Sequence, residues 1–198
     1  MLKIQKILLI LLLSVPTLSL AKAQQGVSVS YGTGQWISYD SGNHFTNLFT
    51  EALPSSGLNG YRIAYIYQPE SWSWFHRSLE LYLEGSYGYW YTTASDVSGR
   101  SENIFALAPI LRFTFLAQPS FAPFLEISVG PSALLNSQFA SKERSFFMFQ
   151  DMLGFGAVMG KTQRWFASVH AVHYSNANLM QPNHGITAPF MLTVGYYF

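Results

Sequence analysis

The chain has 198 residues, of which 11% are charged and 17% are aromatic, and its formal net charge is +1. Soluble domains carry about 25% charged residues, so this composition is typical of a membrane or secreted protein. The near-neutral charge excludes an electrostatic nucleic-acid binder, because no basic field is available to hold phosphates. Cysteine is absent, which excludes disulfides, thiolate nucleophiles and a lipoprotein anchor.

The N-terminal segment has the pattern of a secretory signal peptide. Lys3 and Lys6 precede an apolar run over residues 7–15, and Ala21 and Ala23 place small residues at both cleavage-determining positions. A transmembrane helix would need about 20 apolar residues, and this run is shorter. The sequence therefore predicts a signal peptide over residues 1–23 and one β-barrel domain over residues 24–198.

In the rest of the chain, apolar residues alternate with small or polar residues, as they do in strands that have one face in an apolar environment. Leu79, Leu81 and Leu83, for example, alternate with Glu80 and Glu84. Spans of about ten residues with this pattern cross a membrane only when they close into a barrel, which leaves no backbone group unpaired in lipid. We predict strands near residues 26–34, 60–68, 78–92, 102–116, 121–133, 145–160, 163–177 and 188–198.

These strands predict an all-β fold, an eight-stranded antiparallel transmembrane β-barrel in the bacterial outer membrane. The connections alternate between long polar segments and shorter ones, which is the outer-membrane arrangement. The last strand alternates apolar residues and ends on Phe198, and it resembles the signal read by the outer-membrane assembly machinery. A soluble lipid-binding barrel would need the opposite parity, and an eight-stranded barrel leaves no open channel.

The second face of the predicted strands carries small residues and a balanced set of charges. Unpaired charges inside a barrel are costly, so an ion-pair network that fills the lumen is the expected arrangement. A transport or binding role is the alternative. The predicted inward side chains are Arg62, Arg112, Glu80, Glu84, Glu126 and His170.

The seventh predicted strand contains a polar pair in an otherwise apolar row. Trp165, Val169 and Ala171 share one face, and the same parity continues into His173 and Ser175. Polar side chains on a lipid-facing row are unfavourable and need a reason. One reason is that the strand ends here at the membrane interface. The other is chemical: with both termini periplasmic, a Ser–His pair at this height faces ester-linked acyl chains of lipopolysaccharide and suits ester hydrolysis.

Residues 173–186 read His-Tyr-Ser-Asn-Ala-Asn-Leu-Met-Gln-Pro-Asn-His-Gly-Ile, and this segment resembles the signature of the PagL family of lipid A 3-O-deacylases. The resemblance implies an eight-stranded barrel with its active site on the outer surface. It assigns Ser175 as the nucleophile, His173 as the base, Asn176 as a residue needed for activity and Asn183 as an oxyanion donor. A turn after Pro182 is the other explanation for Asn183.

The sequence departs from the family pattern at two positions. Asn178 stands where the family commonly has glycine, and Thr187 stands where the resemblance places the glutamate of the catalytic triad. Threonine carries no charge to stabilise an imidazolium. Thr187 could instead orient His173 by a hydrogen bond, the triad could be degenerate, or an acid elsewhere could substitute. The candidate acids are Asp96, Glu102, Glu143 and Glu51.

The predicted function is hydrolysis of an ester-linked acyl chain of lipid A, at the 3-O position, by a carboxylic ester hydrolase with a lipid-facing Ser–His pair. The alternative is a non-catalytic structural or adhesive barrel of the OmpA/OmpX type with a degenerate triad. The expected partners are lipopolysaccharide, the outer membrane and its assembly machinery, with no nucleic acid and with a homodimer left open. No cofactor or metal is predicted, because the histidines lack ligand spacing.

Overall fold

The computed structural model describes residues 23–33, 58–92, 101–135, 146–177, 179 and 186–198. Eight long strands form one antiparallel sheet, and a two-residue strand extends it at one end. The strands are β1 (Ala23–Thr33), β2 (Leu58–Pro69), β3 (Ser73–Trp74), β4 (Leu79–Thr92), β5 (Ser101–Thr114), β6 (Phe121–Leu134), β7 (Phe147–Met159), β8 (Trp165–Ser175) and β9 (Ile186–Tyr197).

The sheet closes on itself as a barrel. Each long strand pairs with its neighbours in the chain, β2 pairs with β4, and the first and last strands pair in the register Gly26–Tyr197. The predicted eight-stranded antiparallel barrel is therefore confirmed. The connection after β2 contains a 3₁₀ turn at Glu70–Trp72 followed by β3, which pairs with the start of β4.

The predicted alternation of the strands is also confirmed. On β6, for example, Leu125, Ile127 and Val129 are 47%, 53% and 62% exposed, whereas Phe124 and Glu126 are 0% and 3% exposed. The outward side chains are therefore apolar, whereas the lumen holds the polar and charged side chains together with a buried apolar cluster that includes Phe124. The described ranges contain no helix long and apolar enough to cross a membrane.

The predicted lumen network is present and centres on Glu126. Its Oε1 accepts hydrogen bonds from Arg112 Nε at 2.6 Å and from the Tyr82 hydroxyl at 2.5 Å, and its Oε2 lies 2.9 Å from His170 Nε2. Gly154 makes room for His170, because a Cβ at that position would lie 1.9 Å from the ring. A second buried ion pair joins Arg62 to Glu84.

The register between β8 and β9 contains a β-bulge. His170 pairs with Met191, but Val172 pairs with Ala188, so two residues of β9, Pro189 and Phe190, lie opposite one residue of β8. A bulge in a strand reverses which residues face outward beyond it. Proline lacks the N–H that a regular ladder needs, and it commonly occurs at such sites.

The strand limits differ from the sequence prediction by a few residues, most clearly at the start of the first and last strands. The first strand begins at Ala23 rather than at residue 26, and the last begins at Ile186 rather than at residue 188. The rest of the predicted signal peptide lies outside the described residues, and its boundary stays a prediction.

Candidate active site

The upper end of β8 presents His173 and Ser175 on the outward face of the barrel. Both are partly exposed, whereas Tyr174 and Asn176 between and beyond them are 1% and 0% exposed and lie on the inward side. The strand period of two thus places imidazole and hydroxyl in one outward row. Both side chains have the parity that the sequence predicted, and their lipid contact and chemical roles stay predictions.

The bulge in β9 brings Thr187 beside His173. Below the bulge the even-numbered residues Leu192 and Val194 face outward, and an unbroken alternation would turn Thr187 into the lumen. In the observed register Thr187 lies directly opposite His173, and its Oγ1 is 2.8 Å from His173 Nδ1. A hydroxyl therefore occupies the position from which a triad acid would orient the ring.

The Ser175 hydroxyl and the His173 ring are neighbours without a direct hydrogen bond among the described residues. Residues two apart on one face of a strand are separated by roughly 6–7 Å along the backbone, so a side-chain rotation closes the gap. Catalytic hydrogen bonds are often long in the absence of substrate. The arrangement is therefore compatible with a nucleophile and its base.

The second flank of His173 carries an acid that the sequence prediction missed. Asp151 of β7 lies directly opposite His173 in the β7–β8 register, and both residues line the same outward groove. The signal was available, because Asp151 has the outward parity of Leu153 and Phe155 in the predicted sixth strand. The prediction instead considered acids in or near the loops.

Of the predicted substitute acids, Glu102 is excluded by its position. It lies on β5 opposite Trp90, is 0% exposed and belongs to the inward face, so it cannot reach an outward imidazole. The parity of the fourth predicted strand already required this. The other three candidates, Asp96, Glu143 and Glu51, lie outside the described residues.

The groove beside His173 has a volume of about 470 Å³ and runs across the outer faces of five strands. Apart from Asp151 and His173 its outward wall is apolar, and the small side chains of Pro109 and Ala171 deepen it. Gly130 allows β5 and β6 to approach closely here, because a Cβ at Gly130 would lie 2.5 Å from the backbone of Ala108. The remaining outward lining residues are Leu81, Leu111, Ile127, Val129 and Leu153.

The two predicted asparagines have different outcomes. Asn176 is fully buried next to Ser175, and its predicted supporting role is compatible with that position. Asn183 lies outside the described residues, so its role as an oxyanion donor stays a prediction. Within the described ranges no group of three or more acidic or histidine side chains is arranged to hold a metal ion.

Three comparisons relate the chain to known proteins. The family model described as "Lipid A 3-O-deacylase (PagL)" matches residues 59–197. Lipid A deacylase PagL of Pseudomonas aeruginosa is 30% identical over 141 residues, which cover 68% of this chain and 78% of that protein. The crystal structure of the outer membrane enzyme PagL superimposes with a TM-score of 0.63 at 25% identity and covers 87% of this chain and 98% of that one.

Proposed function

Because the chain belongs to the lipid A 3-O-deacylase (PagL) family, we propose that it hydrolyses the 3-O-linked acyl ester of lipid A. The protein is an outer-membrane barrel, and the substrate lies in the outer leaflet of that membrane. The observation that carries the proposal is the outward row of Ser175 and His173 beside an apolar groove. A soluble substrate would not require a catalytic pair on this surface.

Ser175 acts as the nucleophile and His173 as its base. The Ser175 oxygen attacks the ester carbonyl carbon while its proton passes to His173 Nε2, which gives a tetrahedral oxyanion. The intermediate breaks its bond to the sugar oxygen, which takes the proton from His173 and leaves as an alcohol. Water, deprotonated by His173, then attacks the acyl-serine, and the fatty acid departs as Ser175 recovers its proton.

Thr187 fixes the ring for this cycle. Nε2 must be unprotonated to accept the serine proton, so Nδ1 carries the hydrogen and donates it to Thr187 Oγ1 over 2.8 Å. The hydroxyl supplies the orientation that a triad carboxylate supplies elsewhere, without its charge.

The groove supports an acyl-chain substrate rather than a small ester. Its wall of aliphatic side chains begins at His173 and continues across β7, β6 and β5 to Leu81 of β4. An extended hydrocarbon chain that lies in this groove loses contact with neighbouring lipid and gains contact with the barrel surface. The ester group at its head then lies beside the Ser–His row. Asn176 and Asn183 are proposed to support the oxyanion.

The test is mass spectrometry of lipid A from a Gram-negative host whose lipid A retains its 3-O acyl chain. Cells that produce the chain are expected to lose one hydroxyacyl group per lipid A, and cells that produce Ser175→Ala are not. Ser168→Ala, which removes an inward-facing hydroxyl of the same strand, is the matched control and retains activity. An unchanged lipid A spectrum with correctly folded wild-type protein would instead favour a non-catalytic barrel with a degenerate triad.

A further inference from the structure

We propose that Asp151 is the positioning residue that supplies the negative charge missing at Thr187, acting on His173 from the opposite neighbouring strand. This inference rests on the proposed hydrolase function. It replaces a triad with its acid on β9 by an arrangement with a hydroxyl on β9 and the acid on β7. His173 lies between them on β8.

The register fixes the position of the carboxylate. Asp151 and His173 are direct partners in the β7–β8 pairing, and Thr187 is the direct partner of His173 on the other side. Directly opposed side chains in an antiparallel pair have Cβ atoms about 4.5–5.5 Å apart. The three residues therefore form a row across three strands at one height, with Ser175 one step above His173.

Asp151 is also exceptional among the acids of the described strands. The four glutamates on these strands are buried in the lumen, whereas Asp151 faces outward. None of the ion pairs among the described residues includes Asp151. The four inward acids are Glu80, Glu84, Glu102 and Glu126.

An outward carboxylate on a barrel strand is unfavourable for stability. Charged side chains on the lipid face of a barrel destabilise it, and an acid without a cationic partner gains nothing in return. A purely structural role thus predicts an apolar residue here, as at Leu153 and Phe155 on the same row. Among the described residues, His173 is the neighbour of this carboxylate on which a positive charge forms during catalysis, and stabilising that charge gives the carboxylate a use.

The electrostatic effect has a defined sign. Among the described residues, Asp151 is the one titratable group beside the ring: its partner on β9 is a threonine, and Tyr174 and His170 of β8 point inward. A negative charge at this separation favours the imidazolium form of His173 over the neutral ring. It strengthens His173 as a base when the serine proton is transferred.

The experiment compares purified wild-type enzyme with Asp151→Asn and Asp151→Glu in mixed micelles of lipid A and detergent. For Asp151→Asn we expect kcat to fall about 10- to 100-fold with KM within about twofold. The acid limb of its kcat–pH profile moves to lower pH, because the imidazolium loses the charge that stabilised it. Asp151→Glu is expected to restore most of kcat. The control Glu70→Gln removes a charge from an exposed turn at the opposite end of the barrel and is expected to change neither kcat nor the kcat–pH profile.

Folding is measured on the same samples by the heat-dependent shift of the barrel in gel electrophoresis. Because removal of a lipid-facing charge relieves an unfavourable interaction, Asp151→Asn is expected to be at least as resistant to unfolding as the wild type. Lower activity together with equal or higher stability separates a positioning role from a structural one.

Two results would overturn the proposal in different ways. If Asp151→Asn keeps the wild-type kcat and pH profile while Ser175→Ala is inactive, the hydrolase function stands and Asp151 has no part in it. If folded wild-type enzyme releases no fatty acid, the proposed function fails and the role of Asp151 fails with it.

Discussion

At the scale of single residues, two side chains of the candidate site share the two functions that one acid performs in a catalytic triad. An acid next to a catalytic histidine both orients the ring and stabilises its positive charge. In this chain the orienting contact is the 2.8 Å approach of Thr187 Oγ1 to His173 Nδ1. The charge lies on the opposite side, at Asp151. The two functions can therefore be altered separately.

Thr187→Val is expected to lower kcat about three- to tenfold. The substitution keeps the shape of the side chain and removes one hydrogen bond, which contributes about 0.5–1.5 kcal/mol. Initial rates of fatty-acid release in mixed micelles measure the effect, with Thr193→Val, an inward-facing threonine of the same strand, as the matched control. An unchanged rate would show that the ring is oriented by other contacts.

A glutamate at position 187 gives a sharper comparison. In the Asp151→Asn background, Thr187→Glu is expected to restore activity, since it returns a charge to the ring, whereas in the wild-type background the gain is small. Equal gains in both backgrounds would mean that the two positions do not share a function.

At the scale of secondary-structure elements, the bulge in β9 decides which residues reach the site. It reverses the parity of Thr187 and Ala188 and turns Thr187 towards His173. The bulge, at Pro189 and Phe190, lies at the upper limit of the part of β9 that pairs with β1, because that pairing runs from Phe190 to Tyr197. The upper end of β9 can therefore change register without opening the barrel.

Deletion of Pro189 is expected to remove the bulge and to leave Thr187 opposite His173, because the shortened strand alternates without a break from Phe190 to Thr187. This variant is expected to keep its activity. Insertion of one alanine between Thr187 and Ala188 places the alanine opposite His173 and turns Thr187 into the lumen, so we expect a loss of activity at least as large as that of Thr187→Val. The heat-dependent gel shift checks that both barrels are folded, and equal activity of the two variants would show that the register is set elsewhere.

The bulge also shows where prediction from the sequence stops. Alternation alone predicted the strands, the inward ion pairs and the outward His173 and Ser175, because a period of two holds along an uninterrupted strand. An unbroken period in the last strand would direct Thr187 inward, and Pro189 was the only sign of the break. For Asp151 the outward parity could be predicted, but its place opposite His173 could not, because which residues of two strands lie opposite each other depends on register, which a single strand pattern does not contain.

At the scale of the whole molecule, the side chains that stabilise the barrel are separate from those of the proposed site. The lumen is filled by a network in which Glu126 contacts Arg112, Tyr82 and His170 from three other strands. The proposed site lies on the outer wall and shares none of these side chains. The network therefore stabilises the barrel, and the proposed chemistry is assigned to the outward row.

Glu126→Gln is expected to lower the free energy of unfolding by about 3–5 kcal/mol, because it leaves the buried Arg112 guanidinium without its counter-charge. The specific activity of the protein that remains folded is expected to match the wild type. Urea titration of the barrel in detergent measures the first quantity, and fatty-acid release per folded molecule measures the second. A loss of specific activity would show that the lumen network is coupled to the outer wall.

Under the proposed function, the position of the groove on the outer wall also determines how the protein meets its substrate. A soluble enzyme with an internal pocket meets substrate from the surrounding solution, and its rate depends on the substrate concentration in that solution. A site built into the wall of a barrel samples only the ring of lipids around its own perimeter. Its turnover then depends on the mole fraction of substrate within one leaflet, and on how quickly neighbouring lipids exchange places in two dimensions.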